Sequence, residues 1–196
     1  MTGAARHGRD EGRRIIVQEL ASVDGFVAGP SGELDFFDTV ADYSEVDQDN
    51  LALLREVDTV LLGSETYRLF VDYWPTAEGE LIAEAVNTTP KIVFSATLDS
   101  APWGQWEPAR VVSGTVVDHV NELRREPGGD VIVWGSISLA QSLLGAGLVD
   151  EIQLRVVPIA IGRGRSLFAD KHDLTLIEAK AYESGIVSLR YAAAGS

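Results

Sequence analysis

The chain has 196 residues, of which 30 are acidic and 16 basic, so its formal net charge is −14. This surplus of negative charge argues against broad nucleic-acid binding, which needs a basic face, and against docking on an anionic membrane. The absence of cysteine excludes thiol catalysis and thiolate metal sites, and the three widely spaced histidines show no metal-ligand pattern.

The first twelve residues are small, polar or charged and have no apolar period, so we predict that 1–12 form a disordered tail. The length of the remainder favours one domain over 13–196. No apolar run approaches a membrane span and no signal peptide is visible, which predicts a cytoplasmic protein. The Ile- and Val-rich stretch Arg14 to Leu20 is the first predicted strand, and a Gly-rich loop of the kind that often carries function follows it.

Between residues 43 and 125 the pattern alternates between helices and strands. It predicts helices over 43–55, 64–70, 78–87 and 116–125, and strands over 57–62, 91–94 and 110–112. The second and third strands end in small or hydroxylated residues, at Gly63-Ser64 and at Ser95. Such strand ends suit ligands, because ligands of parallel sheets bind at the carboxyl ends of the strands.

A strand–turn–helix–strand unit spans 130–158 and gives the strongest pattern in the chain. It consists of a strand at 130–134, the turn Gly135-Ser136, a helix from Ile137 to about residue 144 that Gly145 and Gly147 end, and a strand at 150–158. The turn between strand and helix can bind an anion through free N–H groups. The alternative is a tight turn in which Ser136 caps the helix.

Two further strands, 174–182 and 186–192, are joined by a short turn and predict an antiparallel hairpin. The sum is an α/β protein with three layers, α/β/α, around a mostly parallel sheet of about eight strands. The first strand is not followed by GxGxxG and the chain contains no GxxxxGK[ST], so the ordinary Rossmann fingerprint and the P-loop are absent.

Five segments in this order resemble the dihydrofolate reductase superfamily, and most closely the C-terminal reductase domain of bifunctional riboflavin-biosynthesis deaminase-reductases and its stand-alone relatives. The segments are SVDGFVA at 22–28, LGSETY at 62–67, VFS at 93–95, GS at 135–136 continuing to GLVDE at 147–151, and 158–168. The resemblance covers nearly the whole chain after residue 14 and implies a dihydrofolate reductase-like fold.

The resemblance also implies an NAD(P)H-dependent reductase of a pterin-like or pyrimidine-like molecule, with NADPH, or NADH, across the strand ends. It implies a homodimer, and an apolar C-terminal hairpin at a sheet edge would need covering. The cofactor-binding residues that it implies are Ala21, Val27, Gly63, Ser64, Thr66, Ser95, Gly135, Ser136, Ile137 and Leu139. No metal is implied.

The chain departs from the family at positions that bind the 2′-phosphate of NADPH. Relatives often have arginine where this chain has Ser64, Ala96 and the Ser136–Ser138 segment, and Glu65 adds a negative charge. A charge-assisted contact to phosphate is worth about 1.5–3 kcal/mol. An alternative is therefore a non-catalytic ligand-binding or scaffolding protein that kept the fold and lost strong NADPH binding.

Four further residues are candidates for contact with substrate, and each has a structural alternative. Asp24 either contacts substrate or nicotinamide as the catalytic residue or makes an Asx turn before Gly25. Asp47 stands where dihydrofolate reductases place a substrate carboxylate, or it is a charge at a helix start. Trp74 belongs to the core or to a pocket wall. Arg163 meets a phosphorylated substrate or lies in a solvated loop.

Overall fold

The computed structural model describes residues 12–193, so the predicted tail lies outside the described residues apart from Gly12. The strands are β1 (Ile15–Ser22), β2 (Phe26–Ala28), β3 (Val57–Gly63), β4 (Lys91–Phe94), β5 (Ala101–Trp103), β6 (Trp106–Val112), β7 (Asp130–Trp134), β8 (Glu151–Val157), β9 (Arg165–Ser166), β10 (Leu174–Ala181) and β11 (Val187–Ala193). The α-helices are α1 (Ser44–Leu54), α2 (Ser64–Tyr73), α3 (Ala83–Thr88), α4 (Val116–Leu123) and α5 (Ile137–Gly145), and single 3₁₀ turns span Asp35–Thr39 and Trp74–Thr76.

Nine strands form one sheet in the order β10-β11-β8-β1-β7-β3-β4-β6-β5. The six strands from β8 to β6 in this order are parallel to one another, whereas β10, β11 and β5 are antiparallel to their neighbours. The predicted α/β class, the mostly parallel sheet and the C-terminal antiparallel hairpin are therefore confirmed. β2 and β9 pair with each other in a separate two-stranded sheet.

The sequence pattern missed β2, β5 and β9, each of which has three residues or fewer. A segment that short shows no alternation of apolar and polar side chains, so only its partner strand defines it. The helix expected over 78–87 begins only at Ala83, because Gly79 has φ +81° and opens a turn.

The central strands are buried on both faces, as expected for a parallel sheet. Ile15 and Val17 of β1 pack with α4 and α5, whereas Ile16 packs with α1, α2 and α3 on the opposite face. Because successive side chains of a strand alternate between faces, odd-numbered residues of β1 point toward α5 and even-numbered ones toward α1. This confirms the three-layer arrangement.

A crevice opens beside β1, where the chain reverses its direction across the sheet. The connection after β1 runs through α1 to β3, beyond β7, whereas the connection after β7 runs through α5 to β8 on the other side of β1. The β1–β7 pairing ends at Gln18 and Trp134, but β1 continues to Ser22 beside β8. Such a switch point is where ligands of open α/β sheets bind.

Glycines end α5 and turn the C-terminal hairpin at the predicted positions. After α5, the N–H of Leu148 donates to the carbonyl of Leu143 at 3.0 Å, and Gly147 has φ +66°, which together make a Schellman cap. Gly185, with φ +86°, lies in the turn between β10 and β11. β10 forms the edge of the sheet and exposes the apolar side chains of Leu176 and Ile177.

Candidate active-site cleft

A cleft of about 1320 Å³ lies at the carboxyl ends of β1, β3 and β7 and extends to α1, α2 and α5. It contains the switch point beside β1. Ten of the fourteen predicted site residues line it: Val27, Asp47, Gly63, Ser64, Thr66, Trp74, Gly135, Ser136, Ile137 and Leu139. The other four, Ala21, Asp24, Ser95 and Arg163, lie outside its lining.

A hydrogen bond joins the two predicted strand-to-helix turns, Gly63-Ser64 and Gly135-Ser136. The backbone N–H of Gly63 donates to Oγ of Ser136 at 2.8 Å, so this N–H is not available to a ligand. Ser136 adopts the left-handed conformation with φ +65° and makes no side-chain cap on α5. The helix-cap alternative for Ser136 is therefore wrong, and its hydroxyl joins β3 to the β7–α5 turn. Because the hydroxyl accepts in this bond, its own O–H can still donate to a ligand.

The first turns of α2 and α5 face the cleft with their N–H groups uncapped. Ile137 and Leu139 line the cleft at the start of α5, and neither helix has a side-chain cap. Because the first turn of a helix has no internal acceptors and carries the positive end of the helix dipole, both ends suit an anionic ligand. Glu65 lies in the first turn of α2 and also lines the cleft, where it opposes negative charge.

Asp24 fastens two loops outside the cleft. Its carboxylate accepts the N–H of Ile161 at 3.2 Å and of Gly162 at 2.7 Å. Hydrogen bonds from Ser22 and from these two backbone amides hold the pKa of Asp24 below its ordinary value. The geometry is that of a loop clamp, which is closer to the structural alternative than to a contact with substrate.

The remaining predicted residues outside the cleft have other surroundings. Ala21 is buried in the core layer of α4 and α5. Ser95 accepts the N–H groups of Thr97 and Leu98 through Oγ, each at 3.1 Å, and closes the turn after β4. Arg163 lines a separate cavity of about 390 Å³ beside the 3₁₀ turn Asp35–Thr39, whereas Arg165, two residues later, lines the main cleft.

Asp47 lies at the α1 end of the cleft, half-buried. Burial, together with the negative charges of Glu80 and Asp42, raises the pKa of Asp47 to about 6. Trp74 lines the same end and stacks edge-on with Phe70 at a ring separation of 6.3 Å. A carboxyl with a raised pKa beside aromatic rings suits recognition of a polar heterocycle.

A buried polar network forms the floor of this end, and the sequence analysis missed it. Gln18 donates to Oδ1 of Asn50 at 3.1 Å and to Oε1 of Gln153 at 2.9 Å. Arg155 lies beside them with Nη2 at 3.5 Å from the same two oxygens, and it donates to Oγ of Ser188 through Nη1. Arg155 is 3% exposed, and its Nε is buried with no hydrogen-bond partner among the described residues. The available signal was a set of polar residues inside apolar strands.

Glu19 was missed as well, although it interrupts the apolar sequence of β1. It lines the cleft, and burial alone raises its pKa to about 8. Within the described residues, its Oε1 is buried with no hydrogen-bond partner. A buried glutamate that is protonated at neutral pH presents both a donor and an acceptor.

Residues 12–193 contain neither a cluster of metal ligands nor a helix that could span a membrane. This part of the chain contains no group of three or more His, Cys, Asp or Glu side chains that could hold a metal ion. Its helices include none that is long and apolar enough to cross a membrane.

Comparison with known proteins shows the fold and the family that this chain shares. The chain is 30% identical to YyaP of Bacillus subtilis (strain 168), an uncharacterized protein, over 91% of this chain and 94% of YyaP. Among solved structures, a Shewanella sp. PV-4 protein named for riboflavin biosynthesis has a TM-score of 0.74 at 23% identity and covers 92% of this chain and 98% of its own.

Two enzymes share the fold at lower identity. The Thermotoga maritima deaminase/5-amino-6-(5-phosphoribosylamino)uracil reductase has a TM-score of 0.65 at 12% identity and covers 93% of this chain, which spans 57% of that protein. Dihydrofolate reductase from Enterococcus faecalis, complexed with NADP(H), has a TM-score of 0.59 at 12% identity over 92% of this chain and 96% of its own. The family model of the RibD C-terminal domain matches residues 13–188, and the chain therefore belongs to the RibD C-terminal domain family.

Proposed function

We propose that this protein is an NAD(P)H-dependent reductase of a small pterin-like or pyrimidine-like heterocycle. The observation that carries the proposal is one continuous cleft at the switch point, with two uncapped helix N-termini at one end and Asp47 with Arg155 at the other. Its volume of about 1320 Å³ exceeds the ~300–1,000 Å³ of a pocket for one drug-sized ligand. The cleft has room for a dinucleotide beside a heterocycle.

The α2 and α5 end suits the pyrophosphate of the dinucleotide. Backbone N–H groups at Ile137 and Leu139 would hold phosphate oxygens, and Ser64 with Thr66 would add hydroxyls. Gly135 has φ +61° and lets the backbone turn sharply at the cleft edge. When bound, the cofactor supplies a hydride, and the protein supplies placement and exclusion of water.

The α1 end suits the heterocycle. Asp47 offers a carboxyl for ring N–H or amino groups. Arg155 offers a buried N–H, which has no partner in the described part of the chain, for a carbonyl or phosphate oxygen. Trp74 supplies an apolar wall. The reductase names of the Thermotoga and Enterococcus proteins support a pyrimidine or pterin as the substrate class.

A second candidate is a ligand-binding protein of the same fold that has lost strong NADPH binding. Glu65 in the first turn of α2 favours it, since its charge faces the proposed phosphate site. The bond from Gly63 to Ser136 favours it as well, because one backbone donor of the turn is already used. This candidate binds a heterocycle without oxidising a nicotinamide cofactor.

Calorimetric titration with NADPH and with NADH separates the candidates. The reductase requires binding of at least one of them at or below millimolar concentration, and oxidation of that cofactor when 7,8-dihydrofolate or 5-amino-6-(5-phosphoribosylamino)uracil is added. Absence of nucleotide binding at millimolar concentration would exclude the reductase. Binding of the heterocycle alone would then support the second candidate.

A further inference from the structure

Glu19 is buried without the partners that the same sheet gives another buried glutamate. Glu151 on β8 is also buried, and it accepts Nε of Arg190 and Nε2 of Gln153 at 2.8 Å each. Glu19 is 7% exposed, forms no ion pair within the described residues, and has a buried Oε1 that no donor there reaches. An unsatisfied buried polar atom is uncommon and calls for a partner that the protein alone does not supply.

Glu19 points into the α5 side of the cleft. Val17 and Ala21, two residues to either side on β1, belong to the core layer that contains Leu139 and Leu143 of α5. Because strand side chains alternate, Glu19 faces the same layer. Its neighbour in register on β8 is Leu154, and the pairing of β1 with β7 has already ended beyond Gln18. Glu19 therefore lines the cleft at a position where β1 is no longer paired with β7.

Among residues 12–193, no charged group neutralises Glu19 from the surrounding elements. α5 contains no titratable side chain, and β7 ends in Trp134. The charged residues that line the cleft besides Glu19 are Asp47, Glu65, Glu80, Arg155 and Arg165. None of them contributes to the raised pKa of Glu19, which burial alone causes. With a pKa of about 8, the protonated carboxyl predominates at pH 7, and it presents an O–H donor beside a C=O acceptor.

We propose that Glu19 is a ligand-recognition residue that binds, as a neutral carboxylic acid, an amide-like edge in which an N–H donor stands beside an oxygen acceptor. The inference rests on the proposed function and deepens it. Two sources offer this chemistry in such a cleft: the carboxamide of nicotinamide and the N–H/C=O edge of an aminopyrimidine. In either pairing, the ligand N–H donates to one carboxyl oxygen, and the O–H on the other carboxyl oxygen donates to the ligand oxygen.

Binding cycles with paired ligands test the contact and separate the sources. One arm compares NADPH with its reduced 3-acetylpyridine analogue, which keeps the carbonyl and lacks the N–H. The other compares 5,6-diaminouracil with its 1,3-dimethyl derivative, which keeps both carbonyls and lacks both ring N–H groups. Glu19→Met removes both bonds from the ligand that has the N–H but only the O–H bond from its partner, so it should weaken the first about 5- to 10-fold more than the second. Glu19→Gln, which keeps a donor and an acceptor, should bind both nearly as wild type does.

The pH dependence gives a second readout that a purely structural glutamate would not move. Wild-type affinity for the ligand whose N–H contacts Glu19 should be about tenfold weaker at pH 9 than at pH 7, since the carboxyl loses its proton near pH 8. The Glu19→Gln variant should show no such change. Trp106→Phe serves as a control, because Trp106 Nε1 is another buried atom with no hydrogen-bond partner in the described chain but lies outside the cleft.

Each outcome decides the matter. If Glu19→Met weakens NADPH more than its acetylpyridine analogue, the partner of Glu19 is the nicotinamide carboxamide. If it weakens the diaminouracil more than its methylated derivative, the partner is the heterocycle. If the wild-type protein binds both ligands, and Glu19→Met loses the same affinity for the two members of each pair, the inference is overturned and the proposed function stays intact. If wild-type protein binds neither NADPH nor the pyrimidine, the proposed function fails and the inference falls with it.

Discussion

Replacing Glu19 with glutamine should remove a pH dependence from the stability of the folded protein. Burial raises the pKa of Glu19 from its ordinary 4.5 to about 8. Between these values the folded protein holds a proton that the unfolded chain has released, so the free energy of unfolding falls as the pH rises. Stability from this source is complete below pH 4.5 and lost above about pH 8. Glutamine does not titrate and lacks this slope.

The size of the effect follows from the width of the pH interval. Between pH 4.5 and pH 7 the wild-type protein should lose about 3 kcal/mol from this one group, at about 1.36 kcal/mol for each pH unit. For a chain of 196 residues, this corresponds to a fall in Tm of roughly 6–12 °C relative to the variant. Placing an amide at this position changes the free energy of unfolding by the same amount at both pH values. This constant term cancels when the difference between wild type and variant at one pH is subtracted from the difference at the other.

Thermal or urea unfolding of wild type and Glu19→Gln in buffers from pH 4.5 to 8 measures this difference. Glu151→Gln is the matched control: burial favours the neutral form of Glu151, but Arg190 and Arg14 outweigh it and hold its pKa below the ordinary value. Its contribution is therefore present above pH 4.5 and lost only as the pH falls further. If Glu19→Gln and wild type differ by the same amount at pH 5 and pH 8, the carboxyl is solvated and the reasoning from burial is wrong.

Three other predictions concern the cleft and the sheet edge. Gly135→Val should lower stability by about 1–3 kcal/mol and abolish nucleotide binding, because φ +61° disfavours a branched side chain; Gly63→Ala, at φ −79°, should keep the wild-type Tm. Ser64→Arg in a Glu65→Gln background should raise affinity for NADPH more than for NADH in calorimetry, because only NADPH has a 2′-phosphate, and equal gains would show that residue 64 faces away from it. Light scattering should give twice the 21.1-kDa chain mass, since the exposed edge strand β10 needs covering; a monomer mass would contradict the predicted homodimer.

The predictable parts of the fold were those with long, regular patterns. The buried runs of β1, β3 and β7 read as parallel strands because apolar residues follow one another without alternation. Gly147 marked the end of α5 because its positive φ favours glycine. The short strands β2, β5 and β9 could not be predicted, since two or three residues carry no period and pairing across the sheet defines them.

The candidate site divided in the same way. Gly63, Ser64, Gly135 and Ser136 could be placed in a cleft because strand ends of a parallel sheet meet at one edge. Asp24 and Ser95 have the same kind of local signal, but their side chains bind nearby backbone N–H groups outside the cleft. Local sequence does not say whether a polar side chain at a loop finds its partner within the loop or across the cleft.

The layered α/β architecture, the C-terminal hairpin and the family could all be predicted from the amino-acid sequence, because they depend on apolar periodicity and on motifs in a fixed order. The three-dimensional arrangement was needed to show which polar residues are buried and whether they have hydrogen-bond partners. Glu19 and Glu151 are both glutamates in apolar strands. Arg190 of β11 and Arg14, which precedes β1, form ion pairs with Glu151, whereas no donor of the described chain reaches Oε1 of Glu19. That difference arises from strand order, which brings residues far apart in sequence to one carboxyl and leaves the other facing an open cleft.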